Sequence, residues 1–184
     1  MEASIARREN AFLGELMDSP GKQTRCRGCR AVVPALHGPT DPYFGASPGC
    51  WAIYGEVLAR EYGEYSFPPV HRMTLDSYAL QHPGRPSRKS IQSVAIHLTS
   101  LHFMLERGLD AEQATEAMRR LLLSLVEFQW LEPPPDFGPL TVLDVHETND
   151  LAGHSSTVCR WAESVWDAWS HHHEIVSRWA SAID

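Results

Sequence analysis

Apolar and polar positions follow a helical period along most of this chain. Between residues 50 and 62, Ile53, Val57 and Leu58 fall on one side of a helix. A turn at 63–68 leads to a second helical segment at 69–82, with Pro69 in its first turn and Pro83-Gly84 stopping it. Residues 88–107 are the most apolar: Ile91, Val94, Ala95, Leu98, Leu101 and Leu105 make one face, and Ile96, Phe103 and Met104 lie outside it. A helix apolar nearly all round is expected at the centre of a fold. Gly108 ends it, and Asp110 with Gln113 gives a capping-box start to a helix at 111–128. The connector "EPPPDFGP" cannot continue a helix. Thr141 and Asp144 then predict a short helix at 141–147. The last predicted helix, 153–181, carries a stripe through Val158, Trp161, Val165, Trp169, His172, Val176 and Trp179.

Residues 2–17 also suit a short helix. Residues 18–49, rich in Gly and Pro, read as irregular structure, with "AVVPAL" as the one strand candidate, interrupted by Pro34. The pattern predicts an all-α fold: an irregular helical bundle at 50–181, with an N-terminal zinc-knuckle-like loop region at 18–49, in one domain over 1–184.

Charge and cysteine content narrow the picture. Lys plus Arg number 16 against 23 Asp plus Glu, a net charge of −7, which argues against a general nucleic-acid binder. No apolar run at the N-terminus resembles a signal peptide, and "LLLSLV" is too short to span a bilayer. A cytoplasmic protein is expected, and its four cysteines then read as thiols or metal ligands rather than disulfides.

Cys26 and Cys29, in "CRGC", have knuckle spacing. Two thiolates three residues apart occupy two corners of a tetrahedron, with Gly28 easing the turn. Cys50, after Pro48-Gly49, falls in the first turn of its helix, where N–H groups and the helix dipole stabilise a thiolate. For a fourth ligand, His71 and His82 lie roughly 16 Å apart on one helix, too far to share an ion. If 50–62 and 69–82 form an antiparallel hairpin, Cys50 is level with His82. This favours Cys26, Cys29, Cys50 and His82 as ligands of a zinc ion, structural or catalytic, with His37 as a rival. Lys22, Arg25, Arg27 and Arg30 around the knuckle read as cations offsetting the charge of such a site.

The segment "HRMTLDSYALQHPG" holds more polar side chains than a packed helix needs, and His97 follows in the next helix. If that helix runs back, His97 comes level with His71. His71, His97 and Asp76 are therefore the candidates for acid–base or metal-assisted chemistry on a small molecule. The plainer readings are a hydrogen-bonded core histidine and an Arg72–Asp76 pair at i,i+4. The histidines of "SHHHE" read as surface groups, except His172 on the apolar stripe.

The segments "CRGC", "YFGASPGCWAIYGEVLAREY", "HRMTLDSYALQHPG", "SIQSVAIHL" and "WLEPPP" together resemble an uncharacterised bacterial family, a domain of unknown function. The resemblance spans roughly residues 25–180 and implies a bacterial, cytoplasmic, single-domain protein. It supplies no activity. Two functional classes follow from the residues themselves. A zinc-dependent or acid–base enzyme needs an open metal position or a polar pocket reached by solvent. A zinc-stabilised interaction or regulatory module needs a closed four-ligand site and an exposed apolar face.

Overall fold

A computed structural model describes residues 21–41 and 44–184, so the helix expected at 2–17 lies outside the described residues. The fold is mostly helical. A two-stranded antiparallel hairpin, β1 (Gln23–Arg25) and β2 (Val32–Pro34), comes first, with Thr24 opposite Val33. Seven α-helices follow: α1 (Pro48–Tyr62), α2 (His71–Gln81), α3 (Arg88–Leu101), α4 (Ala111–Leu123), α5 (Val142–His146), α6 (Leu151–Ala168) and α7 (His173–Ala180). The hairpin lies where the sequence predicts irregular structure. "AVVPAL" supplies β2, and Pro34 is tolerated at its end. No described helix is long and apolar enough to cross a membrane.

The predicted caps are present. Asp110 accepts from the Gln113 backbone N–H at 2.8 Å, and the Gln113 side chain accepts from the Asp110 N–H at 3.0 Å. Thr141 and Asp144 form the same reciprocal box at α5. Two helices differ from expectation. α4 stops at Leu123 rather than 128, because the Ser124 hydroxyl donates back to the Leu121 carbonyl and the chain leaves in an extended conformation. Only Leu121 of "LLLSLV" is then fully buried, while Leu123 and Leu125 face solvent. The long final helix is broken after Ala168 by a 3₁₀ turn over Ser170–His172. The His173 Nε2–H donates to the Trp166 carbonyl at 2.9 Å and its ring stacks on that indole, satisfying the end of α6. His172 donates likewise to the Glu132 carbonyl at 2.9 Å. His172 and His173 thus hold the break between α6 and α7, while His171 is exposed as expected.

The most consequential difference is which helix is central. Apolarity predicts 88–107, but α3 keeps Arg88, Lys89 and Gln92 exposed and runs into a π-helical turn over His102–Glu106. The buried helix is α2, packed against α3 and α6. Its Thr74, Asp76, Ser77, Tyr78, Leu80 and Gln81 are all at 0% exposure. A polar helix can occupy a core only if its side chains are hydrogen-bonded. The Gln81 amide donates to the carbonyls of Phe137 and Leu140, anchoring the Pro-rich connector. Asp76 accepts from His97 at 2.7 Å, Ser100 at 2.5 Å and Arg72 at 3.2 Å. Buried Glu61, at the end of α1, accepts from Thr74 at 2.6 Å and from His71 and His154 at 2.7 Å each.

Glu61→Ala strips three donors of their acceptor at once. We expect it to destabilise the fold by about 2–5 kcal/mol, whereas Arg119→Ala, which breaks an exposed, solvent-screened pair with Glu116, should leave stability nearly unchanged. Urea unfolding of both variants checks the contrast, and equal midpoints contradict it.

A buried three-cysteine, one-histidine cluster

The hairpin, α1 and the end of α2 converge on four side chains. β1 ends at Arg25, and the Cys26 N–H donates to the Ala31 carbonyl at 2.8 Å, closing the "CRGCR" loop that presents Cys26 and Cys29 inward. The loop's left-handed residue is Arg30, at φ 64°, not Gly28. Gly28 is required for another reason. A Cβ there would collide with the His82 imidazole and lie 2.7 Å from the Gln81 carbonyl oxygen. Gly49 likewise lets α1 start against the Pro34 carbonyl of β2. Cys50 then sits in the first turn of α1, behind Pro48 at its N-terminal end. His82 follows the last residue of α2.

Cys26 Sγ and Cys50 Sγ are each 3.4 Å from His82 Nε2, and Cys29 Sγ is 3.8 Å from Cys50 Sγ. All four ligand atoms lie within 4.8 Å of one another, and all four residues are buried. A tetrahedral ion bound at about 2.3 Å from sulfur and about 2.0–2.1 Å from nitrogen has S···S edges of about 3.8 Å and S···N edges of about 3.5 Å. The cluster has the dimensions of such a coordination shell and can hold a metal ion.

The surroundings favour the ligating forms. His82 Nδ1–H donates to the Tyr78 carbonyl at 2.7 Å, which leaves Nε2 as the free lone pair aimed at the sulfurs. The Ser47 N–H donates to Cys26 Sγ at 3.4 Å and the Tyr78 hydroxyl to Cys50 Sγ at 3.7 Å. Tyr78 is clamped by a parallel stack on Tyr54, with ring centroids 3.7 Å apart. Burial, reinforced by the neighbouring thiols, pushes its phenol up, so it stays a neutral donor.

Hydrogen bonds from Cys29 and Cys50 hold Cys26 well below the usual thiol range. The same contacts, with Cys26 and Cys29, hold Cys50 far above it. Three thiols this close cannot all ionise without a counter-charge. A bound cation removes that conflict and lets all three ionise.

The antiparallel relation of α1 and α2 expected from the sequence brings Cys50 to His82 and leaves His71 at the far end. His37 is not in the cluster. The other three predicted site residues fall into two networks on different faces of α2. His71 bonds Glu61, and His97 bonds Asp76. His71 and His97 thus bond different buried carboxylates. Glu61 and His154 escaped the sequence reading. Glu61 follows Arg60 in an ordinary amphipathic stretch, and nothing local marks it as fully buried.

Gly28→Ala tests the close approach of the knuckle to His82. It should lower both metal retention and the melting temperature. Gly55→Ala, in the middle of α1 with open space around its Cβ position, should raise stability by about 0.5–1 kcal/mol. Paired thermal melts decide this, and a Gly28→Ala protein as stable as the parent is the contrary result.

No curated protein and no solved structure matches the chain. The model of a family of unknown function (DUF5946) matches residues 24–170, a span that takes in all four cluster residues. By that match the chain belongs to the DUF5946 family of unknown function.

Proposed function

We propose that the protein is a zinc protein in which the metal is structural, held by Cys26, Cys29, Cys50 and His82. The observation that carries this reading is the closed shell: four buried side chains at tetrahedral spacing, with no corner left for water or substrate. Three sulfurs and one imidazole form a soft, tetrahedral donor set, which suits zinc among the divalent ions. The ion ties the N-terminal hairpin to the start of α1 and the end of α2, so metal binding and folding are coupled.

Acid–base chemistry, in this reading, belongs to α2 rather than to the metal. His71 and His97 each use Nδ1 to bond a fully buried carboxylate and keep Nε2 for solvent or substrate. Glu61 and Asp76 position them. The non-catalytic alternative, a zinc-stabilised interaction module, is favoured by one observation, the exposed leucines 122, 123 and 125 at the end of α4.

Untagged protein made without added metal should contain about one zinc per chain by elemental analysis. Cys26→Ser, Cys29→Ser, Cys50→Ser and His82→Ala should lower zinc content and stability together, and Cys159→Ser neither. Zinc should be released as pH falls, since the ligands bind only when deprotonated. A metal-free protein that is fully folded overturns the assignment. For α2, acylation of imidazoles with diethyl pyrocarbonate, mapped by mass spectrometry, should modify His71 and His97 and spare buried His154. Protection of His71 and His97 removes them as acid–base groups.

A further inference from the structure

A cavity of about 720 Å³ lies against the outer wall of the metal cluster, within the size range of small-molecule sites. Its floor is made by the residues that follow or flank the ligands: Gly28 of the knuckle, Gly45, and Pro83-Gly84 after His82. The Gly45 N–H donates to the His82 carbonyl at 3.1 Å, so this backbone is fixed by the same contacts as the cluster. Phe44 and Phe137 give the cavity two aromatic walls.

Its charge is the informative feature. Arg27 and Arg85 both line it. Arg27 reaches only the Ala46 carbonyl, at 3.3 Å, and among the described residues the Arg85 guanidinium has no hydrogen-bond or ion-pair partner. Neither contacts a cluster sulfur, so they do not neutralise the thiolates directly. Arg88 and Lys89 follow in the first turn of α3, which contains no acidic residue. Cations at a helix N-terminus oppose its dipole. Arg88 and Lys89 are not in the lining themselves, but they add positive charge next to Ser87, which is. Asp41 is also in the lining.

We propose that this cavity binds a small molecule with a planar, apolar body and an oxyanion head, carboxylate or phosphate. The ring lies between Phe44 and Phe137, and the head group meets Arg27 and Arg85. This inference uses the geometry of the knuckle and is independent of which metal it holds.

Phenyl phosphate and benzoate are suitable probes, titrated into ¹⁵N-labelled full-length protein, with inorganic phosphate as comparison. At least one aromatic probe should bind saturably, shift the amides of Gly28, Gly45 and Gly84, and bind about tenfold or more tightly than inorganic phosphate. Arg85→Ala should weaken it by a further factor of about ten or more, and Arg119→Ala, on exposed α4, should not. Arg27→Ala should act like Arg85→Ala, and metal content measured on each variant separates loss of the site from loss of the metal. Unsaturable shifts for both probes, equal affinity in Arg85→Ala and the parent, or no preference over inorganic phosphate each overturn the proposal.

Discussion

The fold depends on hydrogen-bonding most of the polar side chains of the buried helix α2. A helix with Thr74, Asp76, Ser77, Gln81 and adjoining His82 at zero exposure gains little from the hydrophobic effect on those positions. Each unpartnered polar group there would cost about 1–3 kcal/mol. The surrounding elements supply partners to most of these groups, although the Ser77 hydroxyl and the Gln81 Oε1 have none among the described residues. α1 brings Glu61 to its N-terminal end, α3 brings His97 and Ser100 to one side, and the connector before α5 brings two carbonyls to Gln81. α6 adds His154 to the Glu61 group. Apolar packing, centred on Trp161 and Trp169 and the leucines of α3, then fills the space that these bonds define.

The cysteine–histidine cluster is the last member of that scheme and the most demanding. A hydrogen bond can satisfy an amide or a carboxylate, but three thiols and an imidazole facing each other cannot satisfy one another with all sulfurs ionised. A cation is the chemical group that fits. Because the hairpin has only three residues per strand and little apolar burial beyond Val33, its attachment to the helices rests mainly on this cluster.

The same economy separates structure from chemistry. All four residues of the cluster are buried. The groups that do face outward are the Nε2 atoms of His71 and His97 and the guanidinium groups of Arg27 and Arg85. The first pair is oriented by the buried carboxylates of Glu61 and Asp76, whereas Arg27 is tied only to the Ala46 carbonyl and the Arg85 guanidinium has no partner among the described residues. The two histidines thus sit on rigid, buried supports.

Much of this was readable in advance. The caps at Asp110 and Thr141 are local interactions, decided within four residues, and the sequence alone determined them. The knuckle spacing and the short α1–α2 turn likewise sufficed to choose His82 over His71, because an antiparallel hairpin leaves only one end of α2 near Cys50. Helix centrality was decided by tertiary structure. Periodicity measures how apolar a face is, and α2 is buried through pairing with residues up to 80 positions away, such as His154 with Thr74 through Glu61. The break after Ala168 has the same origin: His173 reaches back to Trp166 and His172 across to Glu132, contacts that a helical stripe cannot register. Glu61 shows the limit most clearly. A glutamate near a helix end is exposed by every local rule, and only the assembled bundle, which brings two histidines and a threonine to its carboxylate, makes burial favourable.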